Sequence, residues 1–568
     1  MALRIGEILV EKKIITPQEL EIALKEQEKT KEMLGEVLVR MGFVTEKEML
    51  QVLAEQQGIA FVELKEAKID ERVIKSVPAK FAWHYKIMPV SLEGNVLTVA
   101  ISNPFDIWSL DDLETNLGYR VEAVLSTSQD IKEAIRRYYG VGAETIERLL
   151  VDQKTEEKQQ QTEVKEERVE DLEKMAEDAS VIKLVNQILH QAINDRATDV
   201  HIERFRDELI LRYRVDGILY DAQVSERIKY LYPAIVSRIK VMSGLDIIER
   251  RLPQDGRTRV KIGKNEYDLR ISIIPTLYGE NIVIRILPTR ILFSISDLGM
   301  SKKDLEILEH LLRKPNGIIF VTGPTGSGKS TTLYASLSKL NTRERKIVTI
   351  EDPIEYELRG ISQTQINPKI NLTFARMLRS ILRHDPDVIM VGEVRDFETA
   401  EITIQTALTG HLVFSTLHTN DAAGGITRLI DMGIDPFLIS SSVKAFIAQR
   451  LVRVICSKCK ESYQLSGISL QQIKDLQQRT ESRKVIAYRG KGCKECNFTG
   501  YKGRTGIYEI LLMNESIKKL VLQKTSSDII KKKAIELGMK TLQQDGWEKV
   551  LRGITTIEEV MRVTQVEE

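Results

Sequence analysis

The chain has 568 residues, 42% hydrophobic and 29% charged, with a net charge of +1. That length exceeds one core, so about three or four domains are expected, and the balanced charge gives no global argument for nucleic-acid binding. No window approaches about 18 consecutive apolar residues, and Glu7 and Glu11 interrupt the first apolar run, which is therefore not a secretory signal; the expectation is a cytoplasmic protein.

The N-terminus carries an internal repeat. Arg4-Ile-Gly6-Glu-Ile-Leu9 aligns with Met33-Leu-Gly35-Glu-Val-Leu38, and the same offset matches Thr16 with Thr45, Leu24 with Leu53 and Gln27 with Gln56. Apolar residues recur at helical spacing in each copy, and Thr16-Pro17 has the form of a helix start with proline at its first position. Two packed helical hairpins satisfy this pattern. A mixed α/β segment completes residues 1–140, with a strand at Val96–Ile101. Residues 141–178 are charged and glutamine-rich with few apolar side chains, and read as a solvated linker. Order resumes near Ala179. Residues 179–293 read as a second α/β domain, ending in strands over Glu266–Ile274 and Asn281–Leu287. From 294 to 568 strands alternate with helices, as a mainly parallel sheet requires; within this region 506–568 reads as mostly helical.

The most informative stretch is Gly323-Pro324-Thr325-Gly326-Ser327-Gly328-Lys329-Ser330, which fits G-x-x-x-x-G-K-[ST] at every fixed position. An apolar strand, 317–322, precedes it, and a helix beginning with Thr331 follows. Successive backbone N–H groups at a helix N-terminus cradle phosphate. Lys329 would reach the β and γ phosphates, and the Ser330 hydroxyl would take a place on Mg²⁺. The ligand implied is a nucleoside triphosphate, ATP, with Mg²⁺.

Three further strands narrow the chemistry. Lys346–Glu355 ends in Glu351, Asp352 and Glu355; Asp387–Glu393 ends in Gly-Glu; Gly410–His418 has a histidine near each end. Ligands of an α/β sheet sit at the carboxyl ends of its strands, so Glu351, Asp352, Glu355, Glu393 and His418 would gather at the phosphates. Mg²⁺ takes one or two carboxylates besides phosphate oxygens, and Glu393 is assigned to Mg²⁺ or its waters. Glu355 is assigned to the attacking water and His418 to the γ-phosphate, whereas packing explains His411. A P-loop kinase is the competing enzyme, but nothing in the sequence looks like a lid over an acceptor substrate.

All four cysteines fall in two C-x-x-C pairs, Cys456/Cys459 and Cys493/Cys496, with 33 residues between the pairs. Four thiolates are a structural Zn²⁺ set with no open position for chemistry. The spacer exceeds the common 15–20 residues. A redox pair is the alternative, against which stands the arrangement of two pairs flanking one insert.

Gly323–Ser330, Glu351–Glu355, Asp387–Glu393 with Val394-Arg-Asp396, and Thr409–His411 with Leu417–Thr419 resemble the Walker A, Asp box, Walker B and His box of the secretion ATPase superfamily. These are the hexameric motors of type II secretion and type IV pili. The likeness extends through Ala197–Glu203, Arg212–Gly217 and Arg251–Arg257. It implies an α/β fold: a RecA-like P-loop core, a preceding PAS-like α/β domain, a zinc-binding insert over 450–505, and an N-terminal helical plus α/β regulatory domain. It further implies a homohexamer that pushes on an inner-membrane platform protein with a cytoplasmic alignment protein, held peripherally at the inner membrane, with no nucleic-acid partner.

The resemblance also places arginines from the preceding domain and from the helix before Walker B near the nucleotide. The matching positions are Arg212 and Arg227, then Arg379 and Arg383. The N-terminal repeat resembles tandem motifs that in some relatives bind cyclic di-GMP, which implicates Arg4, Gly6, Gln27, Gly35 and Gln56. The chain departs from that pattern at Met33, where the second arginine would stand, and at Lys13, where the first repeat would carry a glycine. Three functions follow from these features: a pilus-assembly motor, a type II secretion motor, or a cyclic di-GMP receptor with vestigial hydrolysis. The complete set of Lys329, Glu355 and Glu393 argues against the last.

Overall fold

The computed structural model describes residues 5–65, 67–104, 107–140, 145, 178–288, 294–464 and 486–564. Most of the charged stretch 141–178 therefore lies outside the described residues. The chain divides into two compact units, Met1–Thr258 with Leu269–Ile286, and Arg259–Asp268 with Leu287–Glu568.

In the first unit the repeat forms two helical hairpins, Ile5–Glu11 with Pro17–Thr30 and Leu34–Arg40 with Glu46–Gln57. The second helix of each hairpin starts on a capping box. The N–H of Glu19 donates to Thr16 Oγ1 at 3.3 Å while the Glu19 carboxylate accepts from the Thr16 N–H at 2.7 Å. Thr45 and Glu48 repeat this arrangement at 3.3 and 3.0 Å. Each box satisfies two orphan donors, so the sequence repeat is a repeat of helix starts. Leu9, Ala23, Val37, Leu38 and Val52 form the core between the hairpins.

Three strands follow: β1 (Met88–Glu93), β2 (Val96–Ile101) and β3 (Arg120–Leu125). β1 pairs antiparallel and β3 parallel to β2. The parallel step is made by the crossover helix Ile107–Leu117.

After the helix Ala179–Asn194, capped by the Asp178 carboxylate, comes a six-stranded sheet. Its strands are β4 (Ala197–Arg204), β5 (Leu209–Val215), β6 (Ile218–Asp221), β7 (Gln254–Ile262), β8 (Asn265–Thr276) and β9 (Gly279–Pro288), in the order β6-β5-β4-β9-β8-β7. Along β5, buried Leu209, Leu211 and Tyr213 alternate with half-buried Ile210, Arg212 and Arg214. A sheet covered on one side reads in this way. The covering helix is Ala179–Asn194, whose Ile188 carbonyl accepts from the Tyr213 hydroxyl at 3.2 Å. The other face of the sheet is polar and rich in arginine.

The second unit is built on seven strands. They are β10 (Gly317–Thr322), β11 (Ile347–Glu351), β12 (Ser362–Gln365), β13 (Val388–Val391), β14 (Leu412–Leu417), β15 (Val443–Ile455) and β18 (Tyr501–Leu512), in the order β12-β11-β13-β14-β10-β15-β18. All neighbours are parallel except β15 and β18. Every residue of β10, β11, β13 and β14 is buried, because helices cover both faces of a parallel sheet.

The sequence pattern predicts a mostly helical 506–568. Four helices between Glu515 and Thr564 make up most of it, while its first residues, 506–512, belong to β18. Ile507–Leu512 is a short apolar run, which periodicity cannot separate from a buried helix; its partner β15 decides the outcome. A small ribbon, β16 (Lys460–Gln464) with β17 (Ile486–Gly490), carries the cysteine region.

Candidate nucleotide site and cysteine cluster

The phosphate loop joins β10 to the helix Lys329–Leu340. Gly328 has φ +88°, and a Cβ there would lie 2.7 Å from Gln449 Nε2; at Gly323 it would lie 2.6 Å from the Gln449 carbonyl oxygen. The loop is therefore pressed against β15, and no larger residue fits at either position. Lys329 curls back so that its Nζ donates to the carbonyls of Gly323 at 2.7 Å and Pro324 at 3.0 Å. Burial holds its pKa down at about 8, with Glu393 opposing that shift and Arg450 adding to it. A desolvated cation over a ring of backbone N–H groups suits a polyphosphate. Ser330 and Thr331 follow at the helix start, with Ser330 exposed.

Glu393 lies two residues past β13. Its carboxylate meets Arg395 Nη2 at 2.6 Å and His418 Nε2 at 3.4 Å, and its side chain is 12% exposed. His418 follows β14 directly. Burial and the charge of Lys329 lower its pKa, and Glu393 works against both. Lys329, on the helix after the loop that follows β10, thus shares one end of the sheet with Glu393 and His418, which follow the neighbouring strands β13 and β14.

The acids after β11 divide into different environments. Glu351 is buried, and its carboxylate accepts from Thr349 Oγ1 at 2.6 Å, from Gln363 Nε2 at 3.0 Å and from the Tyr334 hydroxyl. With both oxygens engaged, Glu351 is a bracket rather than a metal ligand, which corrects its expected place among the phosphate-facing acids. Tyr334, on the P-loop helix, also accepts from the Glu355 N–H at 3.2 Å. Burial, followed by the nearby Glu351 charge, raises the Tyr334 pKa beyond the ordinary phenol range, so the hydroxyl stays a donor. Sequence reasoning missed Tyr334, because a tyrosine within an apolar helix gives no signal of this bracket. Asp352 is exposed and Glu355 is half-buried.

The arginines separate in the same manner. Arg379 lies in the helix Phe374–Ile381 and pairs with Glu398 at 2.8 Å; Arg383 donates to the Arg379 carbonyl at 3.1 Å. Both are exposed. In the first unit Arg212 forks onto Glu203 at 2.8 and 2.5 Å across β4 and β5, and Arg227 is exposed on the short turn Glu226–Leu231. A different trio gathers on the polar face of that sheet: Arg257, Arg270 and Arg285 line a cavity of about 390 Å³ with Asp255 and Ser272. Arg285 Nε donates to Asp199 at 3.0 Å. Arg270 stands between Leu269 and Ile271 and Arg285 between Ile284 and Ile286, charged residues within otherwise apolar strands, but only the pairing of the strands brings them together.

The four Sγ atoms of Cys456, Cys459, Cys493 and Cys496 lie within 4.8 Å of one another. Resolved separations are 3.7 Å for Cys456–Cys493, 3.8 Å for Cys459–Cys496 and 3.7 Å for Cys493–Cys496. Zn–S bonds of about 2.3 Å give tetrahedral edges of about 3.8 Å, so the donor set fits zinc. N–H groups of Cys493 and Gly500 donate to Cys496 Sγ at 3.2 and 3.3 Å, as knuckles require. The ribbon packs on the C-terminal helices through Ala487 against Trp547, Val550 and Val560.

In the N-terminal repeat, Gly6 is buried: a Cβ there would lie 2.7 Å from Leu20 Cδ1. Gly35 is tight against Met49, with a Cβ 3.3 Å from its sulfur. Gln27 Nε2 donates to the Glu32 carbonyl at 3.1 Å, and Gln56 lies at the end of its helix. Arg4 lies outside the described residues. Close helix approach thus accounts for both glycines. Among the described residues no helix is long and apolar enough to cross a membrane.

Residues 174–562 match the family described as type II/IV secretion system protein, and residues 57–145 match the MshEN domain. The type IV pilus assembly ATPase PilB of Myxococcus xanthus is 41% identical over 99% of this chain and 99% of its own length. The type II secretion system protein E of Xanthomonas campestris pv. campestris is 40% identical over 99% and 98%. Among solved structures, the Legionella pneumophila ATPase DotB shares the fold with a TM-score of 0.50 at 22% identity, over 66% of this chain and 94% of that one. By sequence, the chain belongs to the type II/IV secretion system protein family.

Proposed function

We propose that this protein is a ring-forming ATPase, a homohexamer that powers type IV pilus assembly at the cytoplasmic face of the inner membrane through a platform protein. The observation that carries the reading is the meeting of Lys329 with Glu393 and His418 at one end of the sheet, beside a loop whose Gly323 and Gly328 leave no room for a Cβ. Lys329 binds the β and γ phosphates. Ser330 and Glu393 hold Mg²⁺, which supplies neutralising charge to the transferring phosphoryl group. Glu355 orients water, and His418 reads the γ-phosphate. Arg379, on the helix Phe374–Ile381, and Arg383, on the turn after it, add positive charge for the nucleotide.

Positive charge from a neighbouring copy completes the site. Arg257, Arg270 and Arg285, which line one cavity together, are proposed for this role beside Arg212 and Arg227; Arg212 and Arg285 are each ion-paired within the sheet, to Glu203 and Asp199. Zinc at the four thiolates is structural. Cyclic di-GMP is a candidate ligand of the N-terminal repeat; the packing of Gly6 and Gly35 supports a docking module equally well.

The secretion reading has one specific observation in its favour: the Xanthomonas campestris pv. campestris relative matches as fully as the Myxococcus xanthus one. Exchange of the chromosomal copy for Glu393→Gln separates the two. Loss of surface pili with secretion intact supports pilus assembly, and loss of secreted enzymes with pili intact decides for secretion.

The zinc assignment has its own test. Purified protein should contain zinc equimolar with the chain, and Cys493→Ser should lose it. Metal binding free energy is about 10–16 kcal/mol in zinc-finger peptides and goes into folding. Cys493→Ser should therefore become protease-sensitive around 456–500 and in the helices Leu542–Leu551 and Ile557–Thr564, while the P-loop core stays resistant. Full resistance in metal-free protein would contradict a structural zinc.

A further inference from the structure

We infer that Arg450 is a positioning residue for hydrolysis: it fixes the His418 loop against the phosphate loop from within the same chain. The inference rests on His418 acting at the phosphate end.

β15 runs parallel to β10 with Ala448 beside Thr322. The next two residues, Gln449 and Arg450, therefore pass alongside the phosphate loop. The approach is close. A Cβ at Gly323 would lie 3.0 Å from Arg450 Nη1 and 2.6 Å from the Gln449 carbonyl oxygen. Gln449 faces the P-loop helix, where its Oε1 accepts from Thr332 Oγ1 at 2.7 Å. Arg450 reaches to the opposite side. Its Nη2 donates to the Asn420 carbonyl at 2.8 Å, and its Nη1 donates to the Gln449 carbonyl at 3.0 Å.

Asn420 is two residues past His418, so the guanidinium ties the loop after β14 to the strand beside the P-loop. The far end of that loop is anchored separately. Asp421 accepts from Lys531 Nζ at 2.7 Å and from the Gly424 N–H at 2.8 Å. Arg450 therefore sets the end of the loop that carries His418, which stands 3.4 Å from Glu393. The residue is 9% exposed, and its hydrogen bonds to main-chain carbonyls leave its charge unneutralised by them. A planar fork bridging two carbonyls is a geometry that lysine cannot reproduce.

The test uses full-length protein carrying Arg450→Lys, Arg450→Gln, His418→Ala, and the doubles with His418→Ala. ATP turnover, binding of a fluorescent ATP analogue and hydrogen exchange are measured on each. Arg450→Lys should lower kcat by roughly tenfold or more with KM and analogue affinity within about threefold. Exchange should quicken at 418–422 and stay unchanged in β10 and β13. Adding His418→Ala to either Arg450 variant should cost little further, because both remove the same function.

Normal kcat in Arg450→Lys, or losses that multiply in the doubles, would overturn the inference. So would loss of protection throughout the sheet in both Arg450 variants, which would make Arg450 a residue of the fold alone. His418→Ala with normal turnover would remove the reading of His418 itself; slow His418→Ala beside normal Arg450→Lys removes only this inference.

Discussion

Lys329→Ala abolishes ATP hydrolysis, with a loss of at least about 10³-fold, equivalent to about 4 kcal/mol of transition-state stabilisation. The side chain is a desolvated ammonium whose hydrogen bonds go to two carbonyls of its own loop. Those contacts are local, and their loss leaves β10 and its helix intact. What disappears is the lysine charge proposed to meet the β and γ phosphates, in a partly buried place where water does not replace it. The variant should melt within a few degrees of the wild type and fail to turn over ATP at any concentration. Turnover above a few per cent of wild type, in protein free of contaminating ATPase, would exclude Lys329 from the mechanism.

Glu393→Gln produces the second largest loss, about 10²–10³-fold in kcat. Glutamine keeps the shape and removes the charge. The carboxylate now balances Arg395, His418 and Lys329 together; without it three positive or polarising groups face one another, and the Mg²⁺ site proposed above loses its carboxylate. Nucleotide affinity should change by only about threefold, because the loop N–H groups and Lys329 still hold the phosphates. Steady-state kinetics with separate binding measurements check this split. An unchanged kcat, or a loss confined to KM, would assign Glu393 to binding alone.

The nucleotide site is legible in the sequence where covalent spacing fixes the geometry. Gly323–Ser330 specifies its own loop, and strand ends specify where Glu393 and His418 emerge, so the order of residues along the chain is enough to name them. What depends on sheet register is not legible. Glu351 looks like Glu355 in sequence, yet Gln363 and Tyr334 reach it only because β11 lies beside β12 and near the P-loop helix. Motif position singles out Arg212 and Arg227, whereas Arg257, Arg270 and Arg285 meet because β7, β8 and β9 are neighbours. The same limit applies to β18, whose strand character comes from β15 rather than from its own periodicity. The helix starts at Thr16 and Thr45 are the opposite case: each capping box spans four residues, and local sequence is sufficient to set it.

The central claim is that one copy supplies the P-loop acids and another supplies the completing cations. It is tested most directly by mixing two inactive full-length variants, Lys329→Ala and Arg270→Ala/Arg285→Ala, across a range of ratios before assembly. Each keeps what the other lacks, so mixed rings should regain hydrolysis, with a maximum at intermediate ratios and none in either variant alone. Arginine variants that are inactive and gain nothing from the Lys329→Ala partner at any ratio, while mixed rings are shown to form, would contradict the account.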